Sequence, residues 1–141
     1  MTSPEERLGY PVTERTRFRV RVEIFEDLSG VPRVDWIRGC RSLEEAQRGY
    51  VAMREASGYG ASQFGFGHVF DEAGQLIAHI SYNGRLWAPE GRAGLSPWRP
   101  GVPPVAEAPE MNPEDIEAAL VRLREHVEAS DPSVTDEGPS P

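Results

Sequence analysis

A chain of 141 residues with 38% hydrophobic residues has room for one domain with a single core. Its longest apolar runs, such as Leu76 to Ala78, fall far short of the roughly 18 residues that a membrane-spanning helix needs, so we expect no contact with a membrane. Glu5 and Glu6 stand where a secretory signal carries basic residues, which indicates a cytoplasmic protein.

The formal net charge of −8 is spread unevenly along the chain. Residues 1–88 hold 11 Arg against 12 Asp and Glu, whereas residues 89–141 hold 4 Arg against 11 acids. A field of this sign opposes nonspecific binding to phosphate backbones, which disfavours nucleic acid as a partner. Cys40 is the single cysteine, and this excludes an internal disulfide and any multi-cysteine metal site within one chain.

Strict alternation of apolar and polar residues from Phe18 to Ile24 predicts a half-buried strand. The polar side of that strand carries the arginine stripe, which consists of Arg17, Arg19 and Arg21. Residues 27–32 have turn composition, and residues 33–38 then place Val34 and Trp36 on one face. This pattern predicts a second strand that returns antiparallel to the first.

A helix is predicted over residues 43–57. Ser42 and Glu45 have the spacing of a capping box, in which each side chain accepts a hydrogen bond from the other residue's amide. Apolar residues then recur at helical spacing, and Gly58 follows where the chain needs a left-handed cap.

The next hairpin has a predicted register in which Asp71 pairs with Gln75 around a three-residue loop that ends at Gly74. On the face toward the core, this register places Phe64, Phe66, His68, Phe70, Leu76, Ala78, Ile80 and Tyr82. His68 and His79 then lie on opposite faces and cannot share a metal ion. Phe66→Ala is therefore expected to be far more destabilising than Val69→Ala.

Together these elements predict an α+β fold, a small antiparallel sheet of ββαβββ order with one helix packed on one face. The sheet ends in a short strand over residues 85–87, after an Asn83-Gly84 turn. We predict a flexible N-terminal segment (1–14), the α+β domain (15–87), a proline-rich linker (88–111), a C-terminal amphipathic helix (112–129) and a disordered acidic tail (130–141). The 15–87 segment is expected to fold without the rest.

Two surfaces are candidates for binding. Outward residues of a strand stand roughly 6.6 Å apart, so the arginine stripe could grip carboxylates or phosphates. The alternative is a solvated strand face whose arginines pair with acids across the strands. The predicted partner-binding residues are those of the stripe, the large aromatics beside it or in the linker, and the apolar side of the C-terminal helix: Arg17, Arg19, Arg21, Phe25, Trp98, Ile116, Leu120, Leu123 and Val127.

The C-terminal helix has two possible positions. It could reach a neighbouring chain across the long linker. If it packs on its own domain, we expect it to cover the arginine stripe and to bury its apolar side against Phe25 and Ile77. Its acids would then hide the stripe from phosphate.

The resulting functional hypothesis is a noncatalytic protein-binding module or small accessory subunit, which acts through the sheet face and the tethered helix. Its partner is another protein or a second copy of the chain, and the sequence predicts no catalytic residue, cofactor or metal. One alternative is a single-stranded nucleic-acid binder that uses the arginine stripe. The other is a small enzyme that uses Cys40 or a histidine.

Overall fold

The structure is a computed structural model that describes residues 3–27, 29–89 and 103–130, with side chains up to residue 124. It confirms the α+β class and the antiparallel sheet. The elements are α1 (Pro4–Arg7), β1 (Phe18–Ile24), β2 (Arg33–Cys40), α2 (Leu43–Ser57), β3 (Phe64–Asp71), β4 (Leu76–Ile80), β5 (Leu86–Trp87) and α3 (Pro113–Ser130). The five strands lie side by side in the order β2-β1-β3-β4-β5. Within the described ranges, no helix has the length and apolar character needed to cross a membrane.

The core lies between the sheet and α2. The alternation in β1 is confirmed, since its four apolar residues from Phe18 to Ile24 are all buried. From α2, Leu43 and Tyr50 are fully buried against them. Each such side chain contributes about 1.5–3 kcal/mol by leaving water. We call this side of the sheet the helix face and the opposite side the second face.

Helix α2 begins and ends where its capping residues predict. The Ser42 hydroxyl accepts a hydrogen bond from the Glu45 amide at 3.0 Å, and Gly58 adopts a left-handed conformation with φ of +72°. The reciprocal half of the capping box differs from the prediction. The Glu45 carboxylate accepts from the amide of Arg41 at 2.6 Å instead of that of Ser42.

The predicted faces of β3 are largely wrong, although the turn that follows it is correct. Asp71 donates its amide to the Gln75 carbonyl and Gly74 has φ of +86°, as expected for the three-residue loop. However, the pairing shifts by one residue between Val69 and Phe70 on the β4 side. It shifts again on the β1 side, where Val22 pairs with Gly67 and Ile24 with Phe64.

The extra residue lies in β3 on the β1 side and is Ile77 of β4 on the β4 side, and each one-residue slip changes which side chains share a face. Phe64 and Val69 are fully buried in the core, whereas Phe66, His68 and Phe70 are only half-buried on the second face. The predicted difference between Phe66 and Val69 is therefore reversed.

Gly67 lies on the helix face of β3, where there is no room for a side chain. A Cβ atom at this position would lie 2.9 Å from a Val20 methyl carbon and 3.0 Å from the Tyr50 ring. The glycine thus allows Tyr50 of α2 to pack directly on the sheet.

The N-terminal residues are tied to the domain by two long-range contacts that the sequence does not reveal. The buried Glu5 carboxylate accepts a hydrogen bond from the Leu43 amide at 2.6 Å, at the start of α2. Tyr10 donates its hydroxyl to the Asp71 carboxylate at 2.8 Å and packs beside Phe18.

Helix α3 packs against α2 and β2 on the helix face. Its Leu123 contacts the core and approaches Gly49 of α2, while Arg122 forms an ion pair with Glu45. The predicted packing of this helix over the arginine stripe, with Phe25 and Ile77 beneath it, is therefore wrong. Its position leaves the second face without α3.

The register of β3 predicts unequal costs for two phenylalanines in the same strand. Phe64→Ala should lower the free energy of unfolding by about 3–5 kcal/mol, because it empties a fully buried site. Phe66→Ala should cost clearly less, since its ring is half-exposed on the second face. Urea denaturation of both variants measures this difference, and equal losses would contradict the observed register.

The contact between Glu5 and α2 predicts a stabilising role for the first residues. Glu5→Ala leaves the Leu43 amide without its acceptor and should cost about 1–3 kcal/mol. Glu6→Ala is the matched control, because Glu6 is exposed and bonds only within α1. Thermal unfolding of the two variants would refute this role if their midpoints shift equally.

Candidate functional site

The second face carries a row of side chains that crosses all five strands. Arg21 lies directly opposite Trp36 of β2 and His68 of β3, and His68 lies opposite His79, which in turn lies opposite Trp87. Directly opposite residues have Cβ atoms about 4.5–5.5 Å apart, so neighbours in this row are within contact distance. The row places cationic, aromatic and titratable groups on one face of the sheet, with His79 and Trp87 buried.

A cluster of arginine and aromatic residues lies at the β1–β2 side of this row. The guanidinium carbons of Arg19 and Arg38 lie 5.2 and 5.7 Å from the centroid of the Trp36 ring. The Phe70 ring packs beside Trp36, with centroids 6.1 Å apart and planes tilted by 48°. Two cations over one indole make a cation–π cluster, worth about 0.5–1 kcal/mol per contact at an exposed site. We call Arg19, Trp36, Arg38 and Phe70 the arginine–tryptophan cluster.

The charges of this cluster are not neutralised by any described residue. Arg21, its neighbour on β1, pairs with Glu23 at 2.6 Å. In the described part of the chain, no carboxylate lies within ion-pair distance of Arg19 or Arg38. Arg38 is exposed, and the buried Nε atom of Arg19 has no hydrogen-bond partner. The cluster therefore presents guanidinium groups that have no acid beside them.

The histidines at the centre of the face form a close pair, which corrects their predicted placement on opposite faces. Their Nδ1 atoms lie 3.2 Å apart, so one ring donates a hydrogen bond to the other. Burial, together with the adjacent His68, lowers the pKa of His79 to about 4. Burial also lowers the pKa of His68, as does Arg21, while Glu23 opposes this shift. Both rings are neutral at pH 7.

A cleft of about 220 Å³ lies on the other side of the sheet, between β2, α2 and α3. Of its charged residues, Arg122 pairs with Glu45 and Arg48 with Glu44, whereas Arg38, which also borders this cleft, forms no ion pair with a described residue. Cys40 lines this cleft and is nearly inaccessible to solvent. Burial, together with Glu45, raises the pKa of its thiol to about 12, so it is protonated at neutral pH.

The predicted arginine stripe is divided in the structure. Arg19 and Arg21 lie on the second face, as the alternation predicts. Arg17 precedes β1, and its guanidinium instead donates to the carbonyls of Glu14 and Thr16, each at 2.8 Å. Phe25 follows β1 and is half-buried, with its amide bonded to the Gln63 carbonyl at 2.8 Å.

The described partner-binding residues predicted on the C-terminal helix are not brought to the second face. Ile116, Leu120 and Leu123 are half-buried on α3, which packs on the helix face. Trp98 and the side chain of Val127 lie outside the residues that the structure describes.

Sequence reasoning did not identify Trp36, Arg38 and Phe70 as members of a site. What brings them together is the pairing of β2 with β1. This pairing sets Trp36 opposite Arg21 and places Arg38 of β2 beside the arginines of β1. The alternation of β2 was visible in the sequence, but its register against β1 was not. Phe70 lies on this face because it pairs with Arg19 of β1.

No protein-family model, curated protein or solved structure matches this chain. The site is therefore interpreted from its own geometry.

The histidine pair predicts that stability falls as the solution becomes acidic. In the unfolded chain both residues bind protons near their ordinary pKa of about 6.5, whereas the folded pKa values are lower. Between about pH 6.5 and 4 the unfolded state therefore binds more protons, and the free energy of unfolding should fall by on the order of 2 kcal/mol.

His79→Gln should flatten this dependence, because it removes the strongly shifted group and keeps a hydrogen-bonding side chain beside His68. Urea denaturation at a series of pH values measures the slope. Identical slopes in the parent and the variant would show that carboxylates alone cause the acid sensitivity.

Proposed function

We propose that this protein is a noncatalytic, cytoplasmic protein-binding module or accessory subunit that contacts its partner through the second face. The observation that carries the proposal is the arginine–tryptophan cluster. Arginine and tryptophan are enriched among the residues that dominate binding energy at protein interfaces. Here two arginines lie over one tryptophan without a carboxylate of the described residues to neutralise them.

The position of α3 restricts the proposal to the sheet. This helix contacts α2 and β2 of its own chain, and Leu123 contributes to the core. A helix that is packed in this way supports the domain instead of serving as a free ligand. We therefore assign the partner contact to the second face alone.

The enzyme alternative draws no support from the groups that would carry it. Cys40 lies in the cleft as a buried, protonated thiol, whereas a nucleophilic cysteine needs its thiolate. His68 and His79 bond to each other, and no third His, Cys, Asp or Glu among the described residues joins them as a possible metal ligand.

The nucleic-acid alternative is weakened by the way the aromatic surface is used. Single-strand-binding sheets stack bases on open aromatic faces, at about 1–3 kcal/mol per base. In this protein, guanidinium groups already lie over the Trp36 ring, so a base would have to displace them. Residues 89–141 also add a net charge of −7, which repels a phosphate backbone.

Affinity capture from native cell extract tests the proposal. The parent protein is compared with an Arg19→Gln/Arg38→Gln variant and with Arg48→Gln/Arg122→Gln, a matched control that removes two positive charges from the cleft side. We expect one set of proteins to be captured by the parent and the control and to be lost by at least tenfold from the cluster variant. Circular dichroism verifies that all three chains are folded.

Two results would refute the protein-binding proposal. Retention of the same proteins by all three chains would place the contact elsewhere on the molecule. Capture that disappears after nuclease treatment would favour the nucleic-acid alternative. Recovery of untagged copies of the same chain would identify the partner as a second copy.

A further inference from the structure

We propose that the arginine–tryptophan cluster recognises an extended, acidic segment of a partner protein, with carboxylates at alternate positions. This inference rests on the proposed function and adds to it the chemistry of the partner. It follows from the charge, the spacing and the aromatic support of the two guanidinium groups.

Charge complementarity selects an anionic partner. A guanidinium group offers five N–H donors in a planar fork that fits a carboxylate bidentately. Arg19 and Arg38 have no such partner among the described side chains, in contrast to Arg21, Arg48 and Arg122, which all pair with glutamates. The guanidinium groups of Arg19 and Arg38 are therefore not engaged in an ion pair with any described residue.

The Trp36 ring holds the two donors near one place. Because their guanidinium carbons lie 5.2 and 5.7 Å from the same ring centroid, they are within about 11 Å of each other. Side chains at alternate positions of an extended segment project to one side with a separation of roughly 6.6 Å. The spacing of two acidic residues at such positions falls within this limit, and a stacked guanidinium loses less side-chain freedom when it binds.

Arg19 also gains a missing hydrogen bond in this arrangement. Its Nε atom is buried and unpartnered in the described structure, and an unsatisfied buried donor is unfavourable. A carboxylate bound at the cluster supplies an acceptor for this group. Binding then removes the energetic cost of the unsatisfied Arg19 donor that is present in the free protein.

The same cluster favours an acidic peptide over a nucleic acid. Nucleic-acid affinity on a sheet depends on base stacking as well as on phosphate contacts, and the Trp36 ring is already covered by guanidinium groups. An acidic peptide needs no open aromatic face.

The experiment uses three defined probes with the full chain. They are a nine-residue peptide that alternates Glu and Ser, the same peptide with Gln in place of Glu, and an oligothymidylate of nine nucleotides. Fluorescence anisotropy of labelled probes is measured at low and moderate salt. We expect saturable binding of the Glu peptide that weakens with salt, and at least tenfold weaker binding of the Gln peptide.

Variants locate the binding. Arg19→Gln/Arg38→Gln should weaken binding of the Glu peptide at least tenfold, and Arg48→Gln/Arg122→Gln should change it less than twofold. Arg19→Lys/Arg38→Lys keeps the charge without the planar fork and should lie between these two. Thermal unfolding midpoints within a few degrees of the parent show that a loss of affinity is not a loss of fold.

The inference is overturned if the Glu peptide does not bind, if the Gln peptide binds equally well, or if the cluster and control variants behave alike. Tighter binding of oligothymidylate than of the Glu peptide would assign the cluster to nucleic acid. If the Glu peptide fails while capture from extract still depends on Arg19 and Arg38, the proposed function stands and only the carboxylate recognition is rejected.

Discussion

The register of β3 is the constraint on which both faces of this protein depend. The strand is paired on both sides, and its pairing shifts by one residue against β1 and again against β4. Because side chains alternate along a strand, each shift decides which of them point to the core. The shift on the β1 side brings Phe64 to the core, whereas Phe66 lies on the second face. The shift on the β4 side sets His79 opposite His68, so the histidine pair depends on it.

Gly67 shows how the same strand serves the core. A side chain at this position would collide with Val20 and Tyr50, so glycine lets α2 approach the sheet closely. The Tyr50 hydroxyl then reaches the Gly65 carbonyl at 2.7 Å, which satisfies its only polar group. The same short segment of β3 therefore contains a bulge and also allows α2 to pack closely on the helix face.

The elements that could be predicted from the sequence are those whose signals lie within a few residues. The alternation of β1, the Ser42 and Gly58 caps of α2 and the Gly74 turn are local, and the structure contains all of them. The bulges in β3 and β4 could not be predicted because an extra residue costs little locally and is decided by the neighbouring strands. The same limit applies to Glu5, whose acceptor role depends on a helix that begins 38 residues later.

The candidate site was predictable only in part for the same reason. Alternation placed Arg19 and Arg21 together, but Trp36 and Arg38 join them through strand pairing, which a single sequence does not specify. Arg17 shows the opposite error, since it precedes β1 and bonds to nearby carbonyls. The position of α3 also depends on long-range contacts, such as that of Leu123 with the core.

The two edges of the sheet differ in how they are protected. At one edge, Leu86 of β5 exchanges hydrogen bonds with residues 105–106, which cover the strand. The opposite edge is β2, and its exposed Val34 is flanked by the charged Arg33 and Asp35. Charged residues on an edge strand discourage pairing with another chain. Substitutions that neutralise this edge would thus create a template for intermolecular strand addition, and the chain would become prone to aggregate while its core remained intact.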